Sequence, residues 1–511
     1  MFEPLIHSFW VTIQPDVMLA ITGGVILGIL FGAMPGLTAT MAIALLIPLT
    51  FGMQPLVALG MLAGVHNGAS YGGAIPAVLL RIPGTPGAIC TTFDGYPMSK
   101  QGLARTALWI AVVSSAVGGM VSAISLMLLS PPLARVTLAF GPPEIFWVNV
   151  FGLASIAVLL GDDPVKGLLA SLFGLLLGCV GIDMVTGHER FTFDILYLVS
   201  GLPLLIVLVG LYAMPPAWEM AEEANLTGVT QKDLEFKDSR GIDLPLGELL
   251  ATWARSCVIG IIIGILPGVG GTAGGFIAYN EVRRASRDPD SFGKGNPMGV
   301  ACAESANNAD NAAAMIPALT LGVPGSGLAA LMLGALLIHG LQPGPQLFRE
   351  APDIVFGYMW AMFISSGLLI VFGGMMATRL FAQILRLPQV LLMPLIIAIT
   401  VIGAYTFQNS FFDVYMMLLF GFVGFLMERL KFPIAPTILG LVLGDKAEFN
   451  MRTSLLMGQG DPAILFTRPI SQAVIVLVVL VLLYPVWRWW QEKRRGRAGE
   501  DFRHEPPLGG E

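Results

Sequence analysis

The sequence predicts an all-α polytopic membrane protein, with about 10–13 membrane segments in two inverted repeats that contain broken or re-entrant helices. Three observations predict it. Of 511 residues, 55% are hydrophobic and 12% charged, against about 25% charged in soluble domains. Long apolar runs such as Val17 to Gly36 and Ala473 to Trp487 suit helices, because barrel strands would show about ten residues of alternating polarity. The 61 glycines and 35 prolines follow no strict period, which excludes a collagen-like chain and leaves them as punctuation within helices.

From the N-terminus, Met1 to Ser8 carries no Lys or Arg and no small-residue cleavage site precedes the first apolar run, so that run is expected to be a permanent span. The expected organisation is a first membrane repeat over 10–217, a hydrophilic loop over 218–248, a second repeat over 249–465, a terminal helix over 466–487 and a basic tail over 488–511. The loop is set by its charge density, with Glu222, Glu223, Lys232, Asp233, Glu235, Lys237, Asp238, Arg240 and Asp243 close together. Cys90, Cys179, Cys257 and Cys302 form no CxxC pair and point to neither zinc nor disulfides. The net charge of −6, with basic residues confined to short loops and the last segment, argues against a nucleic-acid partner.

The two apolar halves resemble each other. Gly28, Gly32, Pro35, Gly36 and Thr40 recur as Gly260, Gly264, Pro267, Gly268 and Thr272, always 232 residues later. Asn67, Ile75-Pro76-Ala77, Pro83 and Gly84 recur as Asn308, Ile316-Pro317-Ala318, Pro324 and Gly325, at a spacing of 241 residues. The difference falls in a loop, where insertion is tolerated. Charge then orients the halves: the loop after the second Pro-Gly motif holds Arg283, Arg284, Arg287 and Lys294, and its counterpart over Thr50 to Gln54 holds none. The positive-inside rule therefore places the two loops on opposite faces, with the basic one cytoplasmic together with Lys100, Arg105 and the Arg488 to Arg497 tail. Inverted repeats of this kind typify secondary transporters, whose sites lie near the midplane at discontinuous helices.

The expected discontinuities are Val65 to Cys90 and Ser305 to Ala330, each ending in a proline-glycine knot, Pro83 to Gly87 or Pro324 to Gly327. Proline removes a backbone donor and glycine permits unusual geometry, and such backbone survives at membrane depth only where protein buries it or it lines a wet cavity. Helix N-termini there would favour an anion, and unwound carbonyls a cation. The candidate substrate residues are Asn67, Ser70, Arg81, Gly84, Thr85, Asn308, Asn311, Gly325 and Ser326. The candidate cation residues are Gly36, Thr40, Gly268 and Thr272, since oxygen-rich cages suit a hard ion such as Na⁺. Packing alone would also use such kinks, and buried Asn and Ser often bond across helices.

These residues also resemble a known family. Gly72 to Gly87 followed by Asp94-Gly-Tyr-Pro97, and Glu304-Ser-Ala-Asn-Asn308 followed by Pro317, Leu321 to Ser326 and His339 to Pro345, are similar to the large membrane subunit of tripartite tricarboxylate transporters, the TctA family. The likeness runs from about Gly23 to Pro469 and includes Pro436 to Gly444 with Glu448 and Arg452. It implies a secondary importer of di- or tricarboxylates or related organic acids in the bacterial inner membrane. It implies as partners a small membrane subunit and a periplasmic solute-binding protein, with a cation gradient, Na⁺ or H⁺, as the driving force and no other cofactor. Two positions depart from the expected pattern: Asp310 replaces a small neutral residue, and Arg81 stands where the second repeat has Gly322. An intramembrane charge is a functional-site hypothesis. Arg81 could grip a carboxylate, pair with Asp310, Glu304 or Asp94, or snorkel to an interface.

Other readings are weaker. Gly68-Ala-Ser70-Tyr-Gly72 with His66 nearby fits a G-x-S-x-G nucleophile pattern, which requires a strand-to-helix elbow or comparable cavity. A passive anion channel is a third reading. No GxxxxGK[ST] loop occurs, which leaves ion coupling rather than ATP as the energy source. His339 and His188 read as structural, Glu448 and Arg452 as an ordinary i,i+4 ion pair, and the Trp487, Trp489 and Trp490 cluster as an interfacial anchor.

Overall fold

The computed structural model describes residues 2–34, 37–159, 163–183, 186–224, 246–268, 270–374 and 392–501. It is helical nearly throughout, as an all-α polytopic membrane protein requires. Five helices among the described residues are long and apolar enough to cross a bilayer, and shorter apolar helices accompany them. The one β-element described is a two-residue hairpin pairing Gly181 with Arg190.

The first half comprises α1 (Phe2–Thr12), α2 (Pro15–Ala33), α3 (Ala39–Thr50), α4 (Pro55–Gly72), α5 (Ala74–Leu80), α6 (Thr91–Lys100), α7 (Ala104–Thr137), α8 (Pro142–Leu159), α9 (Pro164–Gly178) and α10 (Leu204–Ala224). The second begins with α11 (Leu246–Ile265), α12 (Gly270–Ala285), α13 (Pro297–Ala313), α14 (Met315–Leu321), α15 (Gly327–Ile338), α16 (Leu347–Glu350) and α17 (Pro352–Leu369). After residues 375–391, which lie outside the described set, come α18 (Leu392–Gln408), α19 (Phe411–Arg429), α20 (Ile434–Met457), α21 (Ile464–Thr467) and α22 (Pro469–Asp501). Many of these helices start on proline, whose fixed φ suits the first helical position and whose missing N–H has no partner there in any case.

Both interruptions have the same cause. Pro76 and Pro317 cannot donate to the carbonyls of Gly72 and Ala313, so α4 and α13 stop there and resume as α5 and α14 after one residue. Each short helix ends in a left-handed residue, Arg81 at φ 63° and Gly322 at φ 76°. In each knot a glycine N–H returns to the break, Gly84 to the Gly73 carbonyl and Gly325 to the Ala314 carbonyl, both at 3.1 Å.

The helices around the breaks pack through glycine. A Cβ on Gly28 would lie 2.5 Å from the Val65 carbonyl oxygen, and Gly24 and Gly32 meet the carbonyls of Met61 and Ala69 in the same way. The ascending order shows that α2 and α4 run parallel. Gly260 against Ala306 and Gly264 against Asp310 relate α11 to α13 likewise. Helix α7 runs along α13, with Gly118 on Ser305 and Ser122 on Ala309, and α17 with the π-helical turn Ile370–Gly374 that continues it runs along α4, from Leu56 beside Gly357 to Tyr71 beside Gly373. Such small-residue contacts let backbones approach where lipid offers no hydrophobic driving force between helices.

The equivalent loops sit at opposite ends. Asp94 and Gln101 meet the 293–296 segment, with Gln101 Nε2 donating to the Lys294 carbonyl at 2.8 Å. At the other end Thr50 Oγ1 lies 3.2 Å from His339 Nε2, and His7 pairs with Asp353.

Helix α10 runs to Ala224 and α11 begins at Leu246; residues 225–245, most of the expected hydrophilic loop over 218–248, lie outside the described set. The last helix continues past Trp487 to Asp501, through Gln491, Glu492, Lys493 and Arg494, which are good helix formers.

Candidate functional site

The interior is polar where the interrupted helices α4 and α13 face each other. Asn67, on α4, donates from Nδ2 to the Met362 carbonyl (3.0 Å), Ser365 Oγ (2.8 Å) and Ser366 Oγ (3.0 Å) of α17. Its Oδ1 accepts from Asn311 Nδ2 of α13 at 3.0 Å. Ser70 donates to the His66 carbonyl (2.9 Å) and lies 3.1 Å from Asn311 Oδ1. Asn308 donates to the Glu304 carbonyl at 3.0 Å. All four side chains are buried. Asn67 corresponds to Asn308 and Ser70 to Asn311 across the repeat, so the cluster joins equivalent positions of the two halves. Its amides and hydroxyls are uncharged, carry both donors and acceptors, and can exchange partners without breaking an ion pair.

The remaining substrate candidates lie around the knots. Gly84 and Gly325 are buried, and a Cβ on either would lie within 2.3 Å of a carbonyl oxygen, that of Gly32 or Gly264. Thr85 is buried against Gly73, and its Oγ1 makes no hydrogen bond. Ser326 caps α15, accepting from the Ala329 N–H at 3.2 Å. Arg81 stands apart from this cluster. It is exposed, its guanidinium is 5.9 Å from the Tyr96 ring centre, and Lys100 approaches the same ring at 5.2 Å. Its partner there is an aromatic face rather than Asp310, Glu304 or Asp94.

Of the cation candidates, Gly36 lies outside the described residues. Thr40 is half-buried, with Oγ1 2.7 Å from Thr38 Oγ1 at the start of α3. Gly268 is buried in the left-handed region at φ 83° and donates to the Gly325 carbonyl at 2.9 Å. Thr272 is half-buried in the first turn of α12.

Three buried carboxylates border the repeats. Asp94 is saturated: Oδ1 accepts from the N–H groups of Gly293, Gly295 and Asn296 at 2.9, 2.9 and 2.7 Å, and Oδ2 from Tyr279 at 2.7 Å. Gly293 and Gly295 both have positive φ, which turns successive N–H groups toward one anion. Glu304, fully buried, accepts from Thr91 at 2.5 Å and Ser115 at 2.8 Å. Asp310 lies between Gly264 and Gly271, and its Oδ1 has no hydrogen-bond partner.

Ser70 sits within a continuous helix rather than at a strand-to-helix elbow, and its one hydroxyl proton is shared between the His66 carbonyl and the Asn311 amide oxygen. That is not the geometry of an activated nucleophile. Glu448 and Arg452 do pair, but within a larger group: Arg190 contacts Asp183 (3.3 Å) and Glu448 (2.9 Å), and Arg452 contacts Asp183 (3.0 Å) as well. This group borders a cleft of about 900 Å³ between the 177–204 segment, Leu337, Gln342 and α20. The cleft lies at the end that holds His339 and includes none of the repeated-core residues.

Sequence reasoning missed the serine pair on α17 that holds Asn67, and Ser115 on α7 that holds Glu304. A signal was present: Trp109 followed by Ser114-Ser115 recurs as Trp360 followed by Ser365-Ser366, 251 residues later. Each pair lies on a helix that runs along the interrupted helix of the other half, and a serine of each bonds to a polar residue there. Asn307 was also missed; its Oδ1 points at Gly87 of the first knot and at Gly271.

Comparison with known proteins bears on this arrangement. A family model described as the tripartite tricarboxylate transporter TctA family matches residues 18–439. A protein of Agrobacterium vitis, described as an uncharacterized 52.8 kDa protein in the TAR-I ttuC′ 3′ region, is 35% identical over 478 residues, covering 92% of this chain and 94% of its own. A second from the same organism, in the TAR-II ttuC′ 3′ region, is 35% identical over 228 residues, covering 44% of this chain and 94% of its own. No solved structure matches.

Proposed function

The chain belongs to the tripartite tricarboxylate transporter TctA family, and on that premise we propose that it is the permease of a cation-coupled importer of organic acids. The observation that carries the reading is the Asn67–Ser70–Asn311 junction, where polar residues of both interrupted helices meet inside the bundle. Polar groups at membrane depth are costly and mark substrate paths. The substrate is a di- or tricarboxylate or a related acid, held by the amide and hydroxyl donors of Asn67, Ser70, Asn308, Asn311, Thr85 and Ser326 and by backbone at Gly84 and Gly325. Arg81, exposed beside Lys100, serves the mouth of the path by attracting the anion.

In this reading the end bearing Lys100, Arg105, Arg283, Arg284, Arg287 and Lys294 is cytoplasmic, as is the C-terminal helix end, and the membrane is the bacterial inner membrane. Thr50, His339 and the 900 Å³ cleft then face the periplasm, where a solute-binding protein delivers the acid, and a small membrane subunit completes the complex. A cation gradient, Na⁺ rather than H⁺, supplies the energy, with Thr40, Thr272 and Gly268 beside its path. The two interrupted helices move as a unit against the flanking helices.

The test is Asn311→Ala. Interhelical hydrogen bonds within membranes are worth about 0.6 kcal/mol on average and at most about 1.7, so the variant is expected to remain folded while uptake falls at least tenfold. Uptake unchanged in Asn311→Ala and Asn67→Ala would remove the junction from the substrate path.

A further inference from the structure

Asp310 is 95% buried, with 5% of its surface accessible, and it forms no ion pair among the described residues. Its Oδ1 lies 3.0 Å from the place a Cβ on Gly264 would take, and no donor reaches that oxygen. Its Oδ2, on the side where the Gly271 backbone N–H hydrogen-bonds the carboxylate, lies 3.1 Å from the corresponding place on Gly271, and Asn307 Oδ1 lies 2.9 Å from that same point. Two side-chain oxygens, three residues apart on one face of α13, therefore converge on the first turn of α12, where glycine leaves room for them. On the other side Asn307 Oδ1 abuts Gly87 of the first knot. In the first repeat the equivalent positions hold His66 and Ala69, so this oxygen pair belongs to the second repeat alone.

A carboxylate oxygen without a donor inside a membrane bundle is expensive, and a cation beside it removes the cost. We propose that Asp310 and Asn307, at the first turn of α12, form a Na⁺ site. The proposal rests on the cation-coupled reading above and names the residue that neutralises the ion. One carboxylate matches one positive charge, which favours a monovalent over a divalent ion. A proton would need only the carboxylate; the amide oxygen turned to the same point is what a hard cation requires, since such ions are bound through oxygens.

The experiment measures ²²Na⁺ binding to the purified full-length chain in detergent, in K⁺-containing buffer, for wild type, Asp310→Asn, Asp310→Ala and Asn307→Ala. Asp310→Ala copies the residue of the first repeat, and gel filtration with heat denaturation checks that each variant is folded. The expected result is saturable binding in wild type, its loss in both Asp310 variants and a weaker affinity in Asn307→Ala. Wild-type binding in the folded Asp310 variants overturns the proposal. So does a wild-type chain that binds no Na⁺, including one that takes up a proton instead. Uptake into vesicles, read separately, distinguishes this site from the coupling itself. Na⁺ bound at Asp310 with uptake indifferent to the Na⁺ gradient leaves the site and removes the coupling; Na⁺-driven uptake with normal binding in Asp310→Asn does the reverse.

Discussion

Replacing Asp94 by alanine is expected to release the 286–296 loop from the bundle. The carboxylate accepts four hydrogen bonds at 2.7–2.9 Å, three from the loop N–H groups of Gly293, Gly295 and Asn296 and one from Tyr279. Bonds to a charged group are each worth about 1.5–3 kcal/mol, but four bonds to one carboxylate share its charge and do not add. Gly293 is exposed and Gly295 and Asn296 half-buried, so water can replace part of the loss. The net cost for Asp94→Ala is about 3–5 kcal/mol, from the charge-assisted bonds lost and the Tyr279 hydroxyl and loop N–H groups left without an acceptor. Asp94→Asn keeps an acceptor oxygen and loses only the charge, for about 1–2 kcal/mol. Arg287 and Lys294 are exposed within the loop, which makes limited trypsin digestion in detergent a direct readout. When opening is fast relative to cleavage the rate follows the open population, so Asp94→Ala is expected to be cut about 100-fold faster or more, and Asp94→Asn about tenfold faster. Cleavage of Asp94→Ala at the wild-type rate would refute the clamp.

Four further outcomes are expected. Gly28→Ala places a Cβ 2.5 Å from a backbone oxygen and is expected to destabilise the α2–α4 pair by about 1–3 kcal/mol, whereas Gly23→Ala, with nothing within 4 Å, costs nothing; thermal unfolding separates them. Arg81→Gly relieves the left-handed backbone at φ 63° and is expected to stabilise by up to about 1 kcal/mol, after the entropy glycine loses on folding. Arg81→Gln is expected to slow uptake without changing which acid is preferred, read from competition between labelled acids. Arg190→Gln is expected to loosen the 181–190 hairpin by about 1–2 kcal/mol, because Arg452 still holds Asp183 and Glu448; hydrogen exchange of the hairpin measures it.

Much of the architecture was legible because membrane helices leave strong local marks. The Pro76 and Pro317 breaks follow from one missing donor each, and the equivalence of Gly84 with Gly325 rests on spacing alone. What remained hidden depended on which helices meet. The Gly293-Lys-Gly295-Asn296 string reads as a loop, and only the arrival of Asp94 from the other half explains its two glycines. Arg81 looks like an intramembrane charge in the sequence, yet the helix ends at that residue and turns its side chain outward onto Tyr96. The serine pairs of α7 and α17 were visible at a fixed distance from Trp109 and Trp360, but their spacing differs from that of the other repeats by intervening loop lengths. Asn307 lies beside the more noticeable Asn308 but faces Gly87 and Gly271 rather than the Asn67–Asn311 junction.

Coupled import is tested most directly by accumulation. Labelled citrate, C4-dicarboxylates and aromatic acids would be offered to proteoliposomes holding this chain and its small membrane partner, with the binding protein outside and an inward Na⁺ gradient on or off. The account predicts that one acid class accumulates above its external concentration, and only when both the binding protein and the gradient are present. Equilibration without accumulation, in vesicles shown to contain the assembled subunits, would contradict it.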